Sequence, residues 1–378
     1  MKYYLFERFK KEKRCLNAFV LLLWGCVAHA QLSIQITQGV DNPIPIAIVP
    51  FQWTGLGLPP EDLGEIVSKD LQQVGEFDPL SPRNMLALPN EESEVYYRDW
   101  SVLAQDYLLV GKVDYLADSG LIEVQYEFFD INRQQKLAGE LLTGRTSQLR
   151  DIGHEISNVV FEAVTGTRGA FTTQLLYIVA EFMSPELTYY RLEKSDYDGK
   201  RAQVLLESQE PIMSPNWAPN GLDIAYVSFE TGLPRIYTQN IVSGQRRQIT
   251  NFPNINSSPV FSPDGSKLAM VLSKDGSPDI YVQDLVSNQI TRITDHPAID
   301  TEPSWSKDGR SIVFMSDRSG QPQIYQMEVG ANSYDVERLT YDCFQCSKAQ
   351  FLPDGVNLVH VRRETRQSPQ YHISIMNL

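Results

Sequence analysis

A chain of 378 residues is too long for a single small core and suggests about two domains. With 42% hydrophobic and 21% charged residues it has an ordinary globular composition, which excludes a long disordered tail. A formal net charge of −14 argues against sequence-independent binding to nucleic acid or anionic lipid, since both demand cations and no Lys/Arg-rich run follows Arg14.

Residues 1–30 read as a signal peptide. The basic stretch from Lys2 to Arg14 precedes an apolar run from Leu16 to Val27 that is short for a membrane span. Ala28 and Ala30 then form a small-x-small pattern that places cleavage after Ala30 and predicts export from the cytoplasm. Leu23-Trp-Gly-Cys26 has the outline of a lipoprotein box, but the bulky Trp24 favours simple cleavage over lipidation at Cys26.

Residues 31–168 do not repeat and read as a small α/β domain. Gln31-Leu-Ser-Ile-Gln-Ile36 alternates, a pattern that suits a strand added to a partner's sheet edge or one tucked against its own domain. Pro45-Ile-Ala-Ile-Val-Pro-Phe51 is a short buried strand, and Pro60-Glu-Asp-Leu63 opens a helix running to about Val74. Strands follow at Tyr107–Val113 and Ile122–Phe128. From Gln148 to Val164, Ile152, Ile156, Val159, Val160 and Ala163 recur at helical spacing, with Gly166 as the stop.

Residues 169–378 repeat. Gly221, Gly265, Gly309 and Gly355, spaced 44, 44 and 46 residues apart, close the turns Ala218-Pro-Asn-Gly, Ser262-Pro-Asp-Gly, Ser306-Lys-Asp-Gly and Leu352-Pro-Asp-Gly. Trp217, Phe261, Trp305 and Phe351 precede the turns, and Pro215, Pro259 and Pro303 precede three of those aromatics. Further strands contain Arg235-Ile-Tyr, Asp279-Ile-Tyr and Gln323-Ile-Tyr, then Arg247-Gln-Ile-Thr, Arg292-Ile-Thr and Arg338-Leu-Thr. Four short strands per repeat, joined by Asn-Gly and Asp-Gly turns, make propeller blades, because one such sheet cannot bury both of its faces alone. Residues 171–208 form a degenerate earlier copy with Ser195-Asp-Tyr-Asp-Gly199 as its turn, which brings the repeats to five. The fold class is therefore α+β: a small amino-terminal α/β domain followed by a β-propeller.

Cys343 and Cys346 are compatible with a local disulfide in an oxidising compartment. A zinc site needs a second ligand pair nearby, and a thioredoxin-like motif needs a helix start; the sequence offers neither.

Several segments together resemble the TolB family. They are Ile46-Ala-Ile-Val-Pro-Phe-Gln-Trp53, Pro60-Glu-Asp-Leu-Gly64, Val160-Phe-Glu-Ala-Val-Thr-Gly-Thr-Arg-Gly-Ala-Phe171, Ser195-Asp-Tyr-Asp-Gly199, Met213-Ser-Pro-Asn-Trp217, Phe261-Ser-Pro-Asp-Gly-Ser-Lys-Leu-Ala269 and Asp300-Thr-Glu-Pro-Ser-Trp305. The resemblance covers residues 31–378 in order and implies a periplasmic propeller of six blades, one more than the repeats seen here. It implies two partners: the lipoprotein Pal at one propeller mouth, giving peripheral association with the outer membrane, and TolA at the arm Gln31, Leu32, Ser33, Ile34, Gln35 and Ile36. It further implies a monomer that supports outer-membrane integrity and constriction at division. Members often carry a histidine in the loop before the Phe261 turn, where this chain has Ile255.

Loops entering the innermost strands should converge on the channel. That logic nominates Met213, Ser214, Asn256, Ser257, Ser258, Thr301, Glu302, Ser347 and Lys348 as Pal-face residues, with Thr301 and Glu302 nearest the family motif. No catalytic residue, metal ligand or cofactor is expected. The histidines beyond the leader, His154, His296, His360 and His372, are scattered, and neither a G-x-S-x-G elbow nor a phosphate loop is present. A propeller mouth that binds a carbohydrate or peptidoglycan fragment is the alternative, which a cluster of exposed aromatics around the channel would favour.

Overall fold

The computed structural model describes residues 42–184, 187–332 and 335–378, so the leader and the arm Gln31–Ile36 lie outside the described residues. Two compact units divide at Gly153/His154.

In the first unit, β1 (Ile44–Ile48) pairs parallel with β3 (Phe77–Pro79) and β4 (Tyr107–Leu116), and the short β2 (Gln52–Trp53) also pairs parallel with β4. Antiparallel β5 (Leu121–Asp130) and β6 (Gln135–Arg145) complete the sheet. Ala47, Val49, Leu108, Val110 and Phe129 form one core with Trp100 of α2 (Tyr97–Val102). The first helix, α1 (Leu63–Val74), starts at Leu63 because the Asp62 carboxylate accepts the Glu65 N–H and caps it, leaving Pro60 in the preceding loop. Its apolar stripe of Leu63, Ile66, Val67 and Leu71 is buried. Gly153 of α3 (Leu149–Thr165) lies against Ile66, where an added Cβ would meet the Ile66 methyl at 2.9 Å.

The second unit is a five-bladed propeller. Blade one has three strands, β7 (Gln174–Ser184), β8 (Leu187–Asp196) and β9 (Gln203–Ser208). Blades two to four have four each: β10 (Ile212–Trp217) to β13 (Arg246–Gln248), β14 (Asn256–Phe261) to β17 (Ile290–Arg292), and β18 (Asp300–Trp305) to β21 (Glu337–Arg338). Blade five has β22 (Gln345–Phe351), β23 (Asn357–Arg363) and β24 (His372–Asn377). The resemblance implies six blades; the described residues form five. Ser195–Gly199 joins β8 to β9, the place of Asn240–Gly244 in blade two, so it belongs to a different turn from the Asp-Gly series.

Period-two alternation sends each strand's side chains to two neighbours. In β11 (Asp223–Ser228), Ile224 and Tyr226 pack toward Leu192 of blade one, while Ala225 and Val227 pack toward Leu268 and Met270 of blade three. Blades three and four close likewise around Val271, Ile280, Trp305, Ile312 and Phe314, each worth about 1.5–3 kcal/mol of burial for a fully covered Val, Ile or Phe. The terminal threonines of the repeat have a shared task. Thr250, Thr294 and Thr340 accept the N–H of Ile236, Ile280 and Ile324 at 3.0, 3.0 and 2.9 Å, satisfying amides at the blade edge. Arg292 and Arg338 donate to the carbonyls of Thr294 and Thr340, a place taken in blade two by Gln248 rather than Arg247.

Candidate functional site

The first strands of blades two to five lie side by side, β10 on β14, β14 on β18 and β18 on β22, which places them innermost. Each is bulged at one point. Register slips between Met213 and Asn216, Ser257 and Val260, Thr301 and Ser304, and Ser347 and Gln350. Within every bulge one residue is left-handed: Ser214 at φ 50°, Ser258 at 50°, Glu302 at 56° and Lys348 at 54°. None is glycine, and L-residues pay roughly 1–2 kcal/mol for that region. Proline follows the first three, Pro215, Pro259 and Pro303, where an unpaired N–H would otherwise sit inside the bulge.

The bulges bring eight of the nine nominated residues to one end of the propeller. Met213, Ser214 and Lys348 are exposed, and Ser257, Ser258, Thr301, Glu302 and Ser347 are half-buried. The ninth, Asn256, is corrected: it is fully buried, and its amide donates to the carbonyls of Phe252 and Asn254. Its role is to hold the crossover, so it offers no surface. Glu302 accepts the Lys348 N–H at 2.8 Å, which ties blade four to blade five at the mouth. Asn216 accepts the Phe261 N–H at 3.1 Å between blades two and three, and the Trp305 indole donates to Val260. Trp305 is buried in the blade interface, in keeping with a packing role.

Sequence reasoning missed an apolar element at this end. β7 and β8 have 11 and 10 residues where the equivalent strands of the next blade have 6, so their hairpin is roughly 15 Å longer. Phe182 and Met183 lie near its tip, 80% and 59% exposed. Ile255 and Ile299, exposed in the loops just before β14 and β18, add to the rim. The signal available in the sequence was the unbroken length of Leu175–Met183 without a turn residue.

At the opposite end, a cleft of about 420 Å³ lies between the turns of blades two and three, with Asp223, Arg247 and Asp264 in its wall. A similar one of about 470 Å³ recurs between blades three and four, which makes it a consequence of turn spacing. The turn aspartates are structural. Ser262 donates to Asp264 at 2.5 Å, and these bonds with those from Ser266 hold its carboxyl down at about 2. His154, Asp196 and Asp198 present ligand atoms within 4.8 Å of one another, but Arg201 already pairs with Asp196 through two hydrogen bonds of 2.7 and 3.0 Å.

The TolB amino-terminal domain family matches residues 32–137, and the TolB beta propeller domain family matches residues 161–378, more than half of the chain. The chain belongs to the TolB family. A solved TolB from Acinetobacter baumannii is 34% identical and superposes with a TM-score of 0.82, covering 92% of this chain and 83% of that one. Tol-Pal system protein TolB from Pseudomonas fluorescens (strain Pf0-1) is 46% identical over 234 residues, 62% of this chain and 54% of the relative. The Pseudomonas aeruginosa protein of the same name is 46% identical over 240 residues, 64% of this chain and 55% of the relative. Aligned in this way, this TolB-family chain spans about half the length of the curated relatives it matches. Those relatives are named as system components rather than as enzymes.

Proposed function

We propose that this TolB-family chain is a protein-binding component of a Tol-Pal system and acts in the periplasm. The bulged mouth binds the peptidoglycan-associated lipoprotein Pal, and the arm Gln31–Ile36 engages TolA, in support of outer-membrane integrity and constriction at division. The observation that carries the reading is the repeated left-handed bulge, four times at one end of the propeller, with Thr301 and Glu302 standing in the family's Asp-Thr-Glu-Pro-x-Trp segment. Strained backbone held in register by neighbouring blades is a preorganised surface, which lowers the ordering cost of binding. Of the eight surface residues at the bulges none carries a ring, so no aromatic platform for a sugar is formed by them.

Calorimetric titration of the exported chain with the soluble domain of Pal tests this. Saturable one-to-one binding is expected, with Glu302→Ala weakening it about 5- to 30-fold through loss of both a contact and the tie to Lys348. Absence of heat from a cooperatively folded chain, or an unchanged affinity in Glu302→Ala, would remove Pal from the mouth.

A further inference from the structure

The crossover into blade five is built differently from the two before it. Six positions separate Thr250 from Asn256, Thr294 from Asp300 and Thr340 from Cys346, so Asn256, Asp300 and Cys346 are equivalent. By the same count Cys343 stands where the others have Pro253 and Pro297, and Ala349 where they have Pro259 and Pro303. The fifth crossover thus lacks both prolines that stiffen its counterparts, and it also lacks the buried polar side chain. In blade three that side chain is Asn256, tied to two loop carbonyls; in blade four it is Asp300, 2.8 Å from Arg318. Blade five has instead a disulfide between Cys343 and Cys346.

The disulfide sits directly before the bulge. Cys346 is fully buried and begins the inner edge of β22, its N–H donating to the Pro322 carbonyl of blade four at 2.9 Å. The Cys343 carbonyl accepts from Gln323 at 3.1 Å, and Cys343 is 8% exposed, beside the exposed Tyr341 and Asp342. The next two residues are Ser347 and Lys348, whose left-handed backbone delivers its N–H to Glu302.

We propose that Cys343–Cys346 is a redox-cleavable lash that holds the fifth blade's share of the mouth, so that a thiol reductant loosens Ser347–Lys348 and weakens partner binding there. The binding clause rests on the mouth being the partner surface; the loosening does not. In the reaction a reductant thiolate attacks the less buried Cys343 sulfur and expels the Cys346 thiolate. A second reductant thiol then resolves the mixed disulfide, so two electrons and two protons pass to the protein and the reductant leaves as its own disulfide. So short a loop contributes little to global stability, and the effect is therefore local to the crossover.

The test uses the full exported chain, oxidised or treated with dithiothreitol, with hydrogen exchange read by mass spectrometry. Reduction should add about 2 Da, speed exchange across residues 345–349 by about tenfold or more, leave residues 256–261 unchanged and shift the melting temperature little. Affinity for the soluble domain of Pal should fall several-fold. The double variant Cys343→Pro/Cys346→Asn, which restores the residues of blade three, should keep slow exchange and ignore dithiothreitol. A bond that resists dithiothreitol in the folded chain overturns the proposal, as does unchanged exchange after the mass gain. Faster exchange with unaltered Pal affinity refutes control of binding. An oxidised chain that does not bind Pal at all fails the mouth reading alone, and exchange still decides the lash.

Discussion

At the residue scale, the propeller depends on small polar side chains that answer backbone amides. Thr294 accepts the Ile280 N–H at 3.0 Å and is itself fully buried. Thr294→Val keeps the shape but leaves that amide unanswered, and should cost about 1–3 kcal/mol in urea unfolding. The turn aspartates respond to acid. Asp264 is held at about 2, against its ordinary 3.8, first by the Ser262 hydroxyl and then by the Ser266 amide and hydroxyl. Asp308 and Asp354 are lowered too, chiefly by side-chain bonds from Ser306 and Asn357. Because the folded value of Asp264 lies below the unfolded one, its stabilisation is present above about pH 4 and is lost as pH falls toward about 2, and acid acts in the same direction on Asp308 and Asp354. Asp264→Asn should therefore flatten the loss of urea midpoint between about pH 5 and about pH 2.5; a loss as steep as in the unaltered chain would contradict that assignment. These turns were legible in the sequence because Asp-Gly chemistry is local. The threonines were legible as a spacing, although their role was not, since it depends on an amide 14 or 16 residues away.

At the scale of the element, the inner strands are shaped by their neighbours more than by their own preferences. Nothing intrinsic to Ser258, Glu302 or Lys348 asks for a left-handed backbone; the bulge is imposed where each strand meets both its own sheet and the adjacent blade. This is why the bulges could not be read from sequence, even though the loops that contain them could. Ser258→Gly should be neutral or slightly stabilising. Ser258→Val, β-branched at the same φ, should destabilise by roughly 1–2 kcal/mol in chemical denaturation. Equal effects of the two substitutions would show that the backbone there is not constrained. The same limit explains Asn256, whose position in the chain suggested exposure while its amide is used inside the loop. The start of α1 moved for a local reason instead: Asp62 outcompetes the earlier Pro60 as the boundary because it supplies the capping acceptor.

At the scale of the whole molecule, the repeat period determined the architecture. Each blade covers its neighbour through alternate residues of the same strands, so four turns of similar chemistry were sufficient to recognise a propeller, and its inner ring located the face carrying the candidate site. The exposed hairpin tip of Phe182 and Met183 was not recognisable, because it departs from the repeat rather than following it; the Cys343–Cys346 pair was legible as a local disulfide, but its place in the crossover before the bulge was not. The central claim is that the bulged end of the propeller is a docking surface for a protein partner. Hydrogen exchange of the oxidised full chain, with and without a saturating soluble domain of Pal, tests it most directly. Slowed exchange confined to the segments 213–217, 256–261, 300–305 and 345–351 is the predicted footprint. Protection confined to the turns at Gly221, Gly265 and Gly309, or none at saturation, would contradict it.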